Sequence, residues 1–150
     1  KIILKLYHIF KDTVMGMYAI YPQSYPFRSI SVAEGFAGSY SEALYKDSLG
    51  YIWIGTASSL ERFDGVHLKS FPIPEEGKRK DVNTIIEMPG HELWMGNRTG
   101  LWKVNGEKLL RVAADTIRSG VYSLCSDGKG TLYIGSESGL FIYNSNLNNS

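Results

Sequence analysis

An internal repeat constrains this chain more than any other feature of its sequence. The segment Gly50–Thr56 recurs at Glu92–Asn97 and again at Gly130–Ser136, so that aromatic residues recur at spacings of 41 and 39 residues. Three further columns keep the same two spacings. The four columns are Trp53, Trp94 and Tyr133; Leu60, Leu101 and Leu140; Phe63, Val104 and Tyr143; and Leu44, Ile85 and Leu124. A period of about 40 residues predicts small units that stack on one another.

Each unit divides into four short strands. An apolar, β-rich run leads through a turn to the aromatic strand, and a corner then leads to a third strand. The dipeptides Asp64-Gly65 and Asn105-Gly106 predict two-residue hairpins with positive φ at both central positions, followed by a fourth strand. Predicted first strands cover 40–46, 82–87 and 121–126, and predicted fourth strands cover 67–71 and 108–112. Four antiparallel strands in each unit are typical of a propeller blade.

The repeat therefore predicts an all-β fold, a β-propeller fragment of about three four-stranded antiparallel blades in a partial ring. The blades cover about 39–72, 81–113 and 120–150, and the last is truncated. The preceding segment, 27–38, is predicted to be a single closing strand, and 1–26 to be a leader, either an export signal or an amphipathic lead-in helix. Three blades do not close a ring, so either further blades lie outside this chain or several copies assemble.

The repeated residues have a structural interpretation. Ile52 and Ile54 point to one side of the aromatic strand while Tyr51 and Trp53 point to the other, so both faces are apolar. Such a strand belongs in a sheet that lies between two others. We therefore assign packing between blades to the repeated aromatic residues and a geometric role at the strand end to the glycines that follow them. These residues are Trp53, Trp94 and Tyr133, with Gly55, Gly96 and Gly135.

Charge and cysteine content exclude several classes of function. The chain has 16 Lys and Arg against 15 Asp and Glu, a net charge of +1, so a nucleic-acid partner is not indicated. The one cysteine, Cys125, lies in an apolar run and is predicted to be a small buried hydrophobe. It can form neither a disulfide nor a thiolate cluster within the chain. No stretch is long and apolar enough to span a bilayer.

The sequence shows no catalytic constellation. Its three histidines, His8, His67 and His91, fall in unrelated places, and no phosphate loop, nucleophile elbow or paired-histidine metal motif is present. We therefore predict no catalytic residue, metal or cofactor, and no enzymatic activity for this chain. Propellers bind ligands at the face that carries the corners and the connections between blades. The candidate ligand-binding residues on that face are Arg79, Asp81, Arg98 and Glu137, with Tyr40 and Tyr122 as stacking surfaces.

These repeats resemble the two-component regulator propeller repeat. The resemblance covers about 39–144 and is closest at Asp47–Thr56 and at the corners Arg98–Leu101 and Glu137–Leu140. The segment Phe27–Phe36 also resembles the one that opens such sensors. The chain departs from the repeat at Ser59, where a corner glycine is expected, at Met88 in the turn, and at Tyr133 in place of tryptophan.

The resemblance implies a role in signalling. Such repeats form the sensory part of hybrid two-component systems of Bacteroidetes, on the periplasmic side of an inner-membrane protein. They imply further blades, a downstream β-sandwich, a membrane helix and a histidine kinase core, in a homodimer that senses oligosaccharides and controls transcription of polysaccharide-utilisation genes. Two alternatives stay open. A lyase-type propeller enzyme would need a histidine and an acid near the central channel, and a scaffold of the WD-repeat kind would bind proteins on its rim.

Overall fold

The computed structural model describes residues 26–37, 40–74 and 80–145. These residues contain eleven strands in three separate antiparallel sheets, and in each sheet the strands follow chain order. The predicted all-β, partial-propeller fold is thereby confirmed. The predicted leader, apart from its last residue, and the candidate residue Arg79 lie outside the described residues.

Each sheet corresponds to one repeat and is called a blade here. Blade 1 contains β1 (Ala43–Lys46), β2 (Ile52–Gly55), β3 (Ser59–Phe63) and β4 (Leu68–Pro72). Blade 2 contains β5 (Val82–Met88), β6 (Glu92–Asn97), β7 (Gly100–Asn105) and β8 (Lys108–Val112). Blade 3 contains β9 (Val121–Ser126), β10 (Thr131–Ser136) and β11 (Gly139–Asn144), three strands within the part of the chain described.

The hairpins differ from the prediction by one position. In blade 1 the backbone N–H of Asp64 donates to the carbonyl of His67, so Gly65 and Val66 are the two central residues. In blade 2, Asn105 pairs with Lys108, so Gly106 and Glu107 are the two central residues. Only the glycines have positive φ, 102° at Gly65 and 59° at Gly106. The prediction of positive φ at both central residues was wrong because the Asp and Asn precede the turn instead of occupying it.

Two apolar layers join the three blades. The layer between blades 1 and 2 contains Trp53, Leu60 and Phe71 from one side and Met95 and Trp102 from the other, all buried. The rings of Trp53 and Phe71 lie 5.4 Å apart and are tilted, an arrangement that aromatic pairs favour. The layer between blades 2 and 3 is built in the same way from Met88, Trp94, Leu101, Ile117, Val121, Leu132 and Ile134. Alternating side chains thus place both faces of blade 2 in apolar contact.

The strand glycines allow this close stacking. A Cβ atom at Gly55 would lie 2.6 Å from Cγ1 of Val82, the first residue of blade 2. A Cβ atom at Gly96 would collide in the same way with Val121, the first residue of β9. Both valines are fully buried. Each glycine therefore leaves room for the innermost strand of the next blade.

The outer face of blade 3 is uncovered. Tyr133 is 39% exposed, whereas its counterparts Trp53 and Trp94 are buried. Cys125 is also exposed, so its predicted burial is wrong for this chain. It lies on the same outer face, since Cys125 pairs directly with Tyr133. No sheet among the described residues covers this face.

The segment before blade 1 is not a strand in this chain. Described residues 26–37 contain one short 3-10 helix, Val32–Glu34, and no β pairing. Ser31 caps this turn: its side chain accepts from the Ala33 N–H, and the Glu34 carboxylate accepts from the Ser31 N–H at 2.7 Å. Pairing of this segment with a closing blade stays a prediction.

Candidate functional site

The candidate ligand-binding residues that the structure describes lie at one edge of the blades, called the corner edge here. It comprises the turns at 57–58, 98–99 and 137–138 and the connections 73–81 and 113–120, of which 75–79 are not described. Hydrogen bonds join turns to connections. Ile73 N donates to Ser58 O at 3.3 Å, and Glu137 N donates to Gly120 O at 3.0 Å. These hydrogen bonds fasten the first connection to the turn of blade 1 and the second connection to the turn of blade 3.

Asp81 and Arg98 form an ion pair at the corner edge. Arg98 Nε lies 2.9 Å from Asp81 Oδ2. The aspartate side chain is 2% exposed, whereas the arginine side chain is 48% exposed. A buried carboxylate therefore lies against one side of the guanidinium, while about half of the Arg98 side chain is exposed to solvent. Planar guanidinium groups held in this way suit paired hydrogen bonds to a ligand.

Tyr122 lies beside this pair. A Cβ atom at Gly120 would lie 3.1 Å from the Tyr122 hydroxyl and 3.4 Å from the Arg98 Cα, so both residues converge on Gly120. Tyr122 is 47% exposed and offers part of its ring to solvent. The turn that carries Glu137 is fastened next to them, because Ser138 Oγ donates to Ser119 Oγ at 2.7 Å. Asp81, Arg98 and Tyr122 are thus brought together, with Glu137 exposed on the neighbouring turn.

The remaining stacking candidate, Tyr40, lies further away along the array. It precedes β1 and occupies in blade 1 the repeat position that Asp81 occupies in blade 2. Its side chain is 45% exposed. The structure therefore brings three of the six predicted residues into one cluster, places Glu137 on the neighbouring turn and Tyr40 in blade 1, and does not describe Arg79.

The corners depend on a column of residues that sequence reasoning missed. Thr56, Asn97 and Ser136 each follow the strand glycine. Thr56 Oγ1 accepts from Ser59 N at 3.1 Å. Asn97 Oδ1 accepts from the backbone of Thr99 and Gly100 and from the indole of Trp102. The sequence did contain a signal for these turns, because three small polar side chains occupy one repeat column. Such residues cap turns through their side chains.

A second polar cluster lies at the opposite end of the blades, called the turn edge here and formed by the turns at 47–51, 88–91 and 127–130. Glu87 Oε2 accepts from Ser48 N at 2.8 Å, and Glu87 Oε1 accepts from Ser48 Oγ at 2.7 Å. His91 Nδ1 lies 3.0 Å from Glu87 Oε1. Beside this cluster a cavity of about 230 Å³ opens between blades 1 and 2, with Tyr51 and Arg62 in its wall.

Glu87 is held as a carboxylate. Burial acts to raise the pKa of Glu87, but the hydrogen bonds from Ser48 and from His91 outweigh burial and lower it below the ordinary value of 4.5. Ser48 and His91 are 43 positions apart, and no sequence pattern connects them. This cluster was therefore not predicted, and nothing in the sequence indicated the contact between His91 and Glu87.

The described residues hold no recognisable metal centre. No group of three or more His, Cys, Asp or Glu in that part of the chain is close enough to bind an ion. No helix within the same ranges is long and apolar enough to cross a membrane.

Comparisons with solved structures identify the fold. The chain superposes on the extracellular domain assigned to a one component system, BT4673, from B. thetaiotaomicron, with a TM-score of 0.62 and 18% identity over 83% of this chain and 20% of that one. The chain also superposes on the extracellular domain assigned to the hybrid two component system BT3049 from the same organism. The TM-score is 0.64 and the identity 22%, over 81% of this chain and 18% of that one. The chain thus spans about a fifth of the length of these proteins.

A comparison with curated proteins gives no match. A protein-family model described as "Two component regulator propeller" matches residues 35–58 of the chain. This match covers the end of the opening segment and the first two strands of blade 1 with their turns. The chain therefore carries a two component regulator propeller repeat within a partial β-propeller fold.

Proposed function

We propose that this chain is a ligand-sensing segment on the periplasmic side of an inner-membrane hybrid two-component sensor. In this proposal the chain itself is not an enzyme. An oligosaccharide binds at the corner edge and shifts the population of a kinase-active arrangement. The parent protein contributes further blades, a β-sandwich and a histidine kinase, acts as a homodimer, and controls transcription of polysaccharide-utilisation genes. The repeat match and the likeness to extracellular domains of such systems support this assignment.

One observation supports the location of the ligand site. The buried carboxylate of Asp81 forms an ion pair with Arg98, and the Tyr122 hydroxyl lies beside Gly120 together with the backbone of Arg98. Sugar hydroxyls accept hydrogen bonds from guanidinium N–H groups, and sugar rings pack on aromatic faces. Because Asp81 has already oriented Arg98, binding loses less side-chain entropy than it would with a free arginine.

Calorimetric titration of the complete sensor region with a panel of oligosaccharides tests this site. Arg98→Ala is expected to weaken binding at least about tenfold, equivalent to about 1.4 kcal/mol, because it removes the oriented donors. Arg62→Ala is the matched control, since Arg62 lies over the Tyr51 ring of blade 1, away from the corner edge. The control should bind like the wild type. Equal affinity of the wild type and Arg98→Ala would remove the corner edge as the ligand site.

A loss of signalling with retained binding would have a different meaning. The parent protein would then be assayed for autophosphorylation with and without the bound oligosaccharide. Ligand-dependent phosphorylation supports the sensor assignment, while binding that never alters phosphorylation contradicts it. The two measurements therefore separate the position of the site from the role of the protein.

A further inference from the structure

A stacked arginine lies in the wall of the turn-edge cavity between blades 1 and 2. Arg62 of β3 is half-buried, and its Cζ atom lies 4.5 Å from the centre of the Tyr51 ring and 5.8 Å from that of the Trp53 ring. Guanidinium groups favour such positions beside aromatic rings. Among the described residues, however, none accepts a hydrogen bond from Arg62 or forms an ion pair with it. Its five N–H donors are therefore available to an acceptor that enters the cavity.

The same repeat position carries a paired cation in blade 2. Lys103 is the counterpart of Arg62, and its Nζ lies 5.8 Å from the centre of the Trp94 ring. This Nζ also lies 3.7 Å from Oε1 of Glu92. The counterpart of Glu92 in blade 1 is Tyr51, a neutral ring. Blade 1 thus keeps the stacked cation of this position but lacks the carboxylate that balances it in blade 2.

The two carboxylates in the cavity wall already have protein donors. Oδ1 of Asp47 accepts from two backbone N–H groups of its own turn, and Oδ2 accepts from the indole N–H of Trp53 at 2.8 Å. Both oxygens of Glu87 accept from Ser48. Within the part of the chain described, Arg62 is therefore the charged side chain of this wall that lacks a hydrogen-bond partner. A planar guanidinium pairs best with a carboxylate, which accepts two parallel hydrogen bonds from it.

Apolar side chains form much of the remaining wall. Phe71 comes from blade 1, whereas Leu93 and Val104 come from blade 2. The volume of about 230 Å³ equals the liquid volume of roughly seven or eight water molecules. This is below the range of pockets that hold drug-sized ligands. The occupant must therefore be a small molecule that has an apolar part.

We infer that this cavity is a ligand site at the turn edge, separate from the corner edge, and that it binds a small organic carboxylate with an apolar body. Arg62 donates paired hydrogen bonds to the carboxylate, and the apolar body packs between Phe71 of blade 1 and Leu93 of blade 2. The ligand thereby supplies in blade 1 the charge that Glu92 supplies to Lys103 in blade 2. Because the bound molecule contacts two blades, its binding also joins them.

Titration of the full chain with benzoate, followed by NMR, tests this site. The chain has three tryptophans, and Trp53 is the one among them that lines the cavity. Its indole N–H signal therefore reports occupancy. Benzoate combines a carboxylate with a small apolar ring, and it should shift this signal saturably with a Kd of about 1 mM or tighter. Absence of a saturable shift would overturn the inference.

Two analogues of benzoate separate recognition of charge from burial of the ring. Benzyl alcohol keeps the ring without the charge, and benzylamine reverses the charge. At equal ionic strength each should bind at least about tenfold more weakly than benzoate. Benzyl alcohol that binds as tightly as benzoate would mean that the cavity selects only an apolar body. Tighter binding of benzylamine would mean that Asp47 and Glu87 determine the ligand, and either result contradicts a carboxylate site.

Substitution of the arginine provides the second test. Arg62→Met keeps a long apolar side chain against Tyr51 but removes the donors, so it should weaken benzoate binding at least about tenfold. If that variant does not fold, Arg62→Lys replaces it. Lysine keeps the charge without the paired geometry and should weaken binding at least about threefold. Circular dichroism confirms that each variant keeps its β structure.

Lys103→Met is the matched control, because it removes the equivalent stacked cation beside Trp94, in the layer between blades 2 and 3. This control should bind benzoate like the wild type. Unchanged affinity in a folded Arg62 variant would overturn the assignment of the carboxylate to Arg62. A loss of equal size in Lys103→Met would do the same, since it would reflect the total charge of the chain and not the cavity.

Discussion

At the scale of single residues, small side chains at blade boundaries decide how closely the sheets approach. Gly55 leaves room for Val82, and Gly96 leaves room for Val121. From the sequence we assigned these glycines a geometric role at the strand end. The valine that needs the space could not be identified, because it lies in the next repeat and only stacking brings it to the glycine.

Gly55→Ala should therefore destabilise the chain. Its Cβ would lie 2.6 Å from Val82 Cγ1 and 3.1 Å from the Val82 carbonyl oxygen, so a blade boundary must shift. Overpacking of this kind costs about 1 to 3 kcal/mol, measured by urea denaturation. Gly135→Ala is the matched control, since its Cβ meets only Ser123 Oγ, which can rotate away. A Gly55→Ala variant as stable as Gly135→Ala would contradict the role assigned to this glycine.

At the scale of elements, most strands could be predicted from the sequence. The predicted strand at 121–126 coincides with β9 and that at 108–112 with β8, whereas β1 begins three residues later than predicted. Alternation of apolar side chains determines the interior of a strand, while its ends depend on turn geometry. The hairpin glycines departed from prediction for this reason.

Hydrogen bonds join the Glu87 carboxylate of β5 to Ser48 in the turn before β2. The stability that they contribute should depend on pH. The pKa of Glu87 is lowered in the folded chain, so its hydrogen bonds stabilise the fold above the ordinary value of 4.5 and lose this effect as the pH falls through the lowered pKa. Glu87→Gln should reduce stability at pH 7 by about 1 kcal/mol, a decrease in Tm of about 2 to 4 °C. The difference in Tm from wild type should shrink as the pH falls below the ordinary value of 4.5 and through the lowered pKa of Glu87.

Thermal melts of both proteins at pH 7 and pH 3 measure this effect. Glu42→Gln serves as the control, because Glu42 is exposed on the segment leading into β1. That control should melt like the wild type at both pH values. A Glu87→Gln difference that stays constant between pH 7 and pH 3 would show that the carboxylate charge has no part in the link.

At the scale of the whole molecule, the three blades are covered unequally. Blade 2 has an apolar layer on both faces, whereas blade 3 has one on a single face. The repeat sequence predicted the stack, since every aromatic strand is apolar on both sides. It did not predict the pairing of Asp81 with Arg98 or of Ser48 with Glu87, because ion pairs and hydrogen bonds between elements need the register of turns in three dimensions.

Native-state hydrogen exchange should reveal that blade 2, covered on both faces, opens less readily than blade 3, covered on one. Amides of β6 and β7 are expected to exchange at least about tenfold more slowly than those of β10 and β11, because opening blade 2 exposes two apolar layers. Exchange of the four strands is followed by NMR at neutral pH. Similar protection in blades 2 and 3 would show that the chain opens only as a single cooperative unit.

The placement of the tryptophans has an optical consequence. All three, Trp53, Trp94 and Trp102, are buried in the two layers between blades, and none lies on an outer face. Indole emission shifts to longer wavelength when water reaches the ring. Any event that separates neighbouring blades will therefore redden the intrinsic fluorescence.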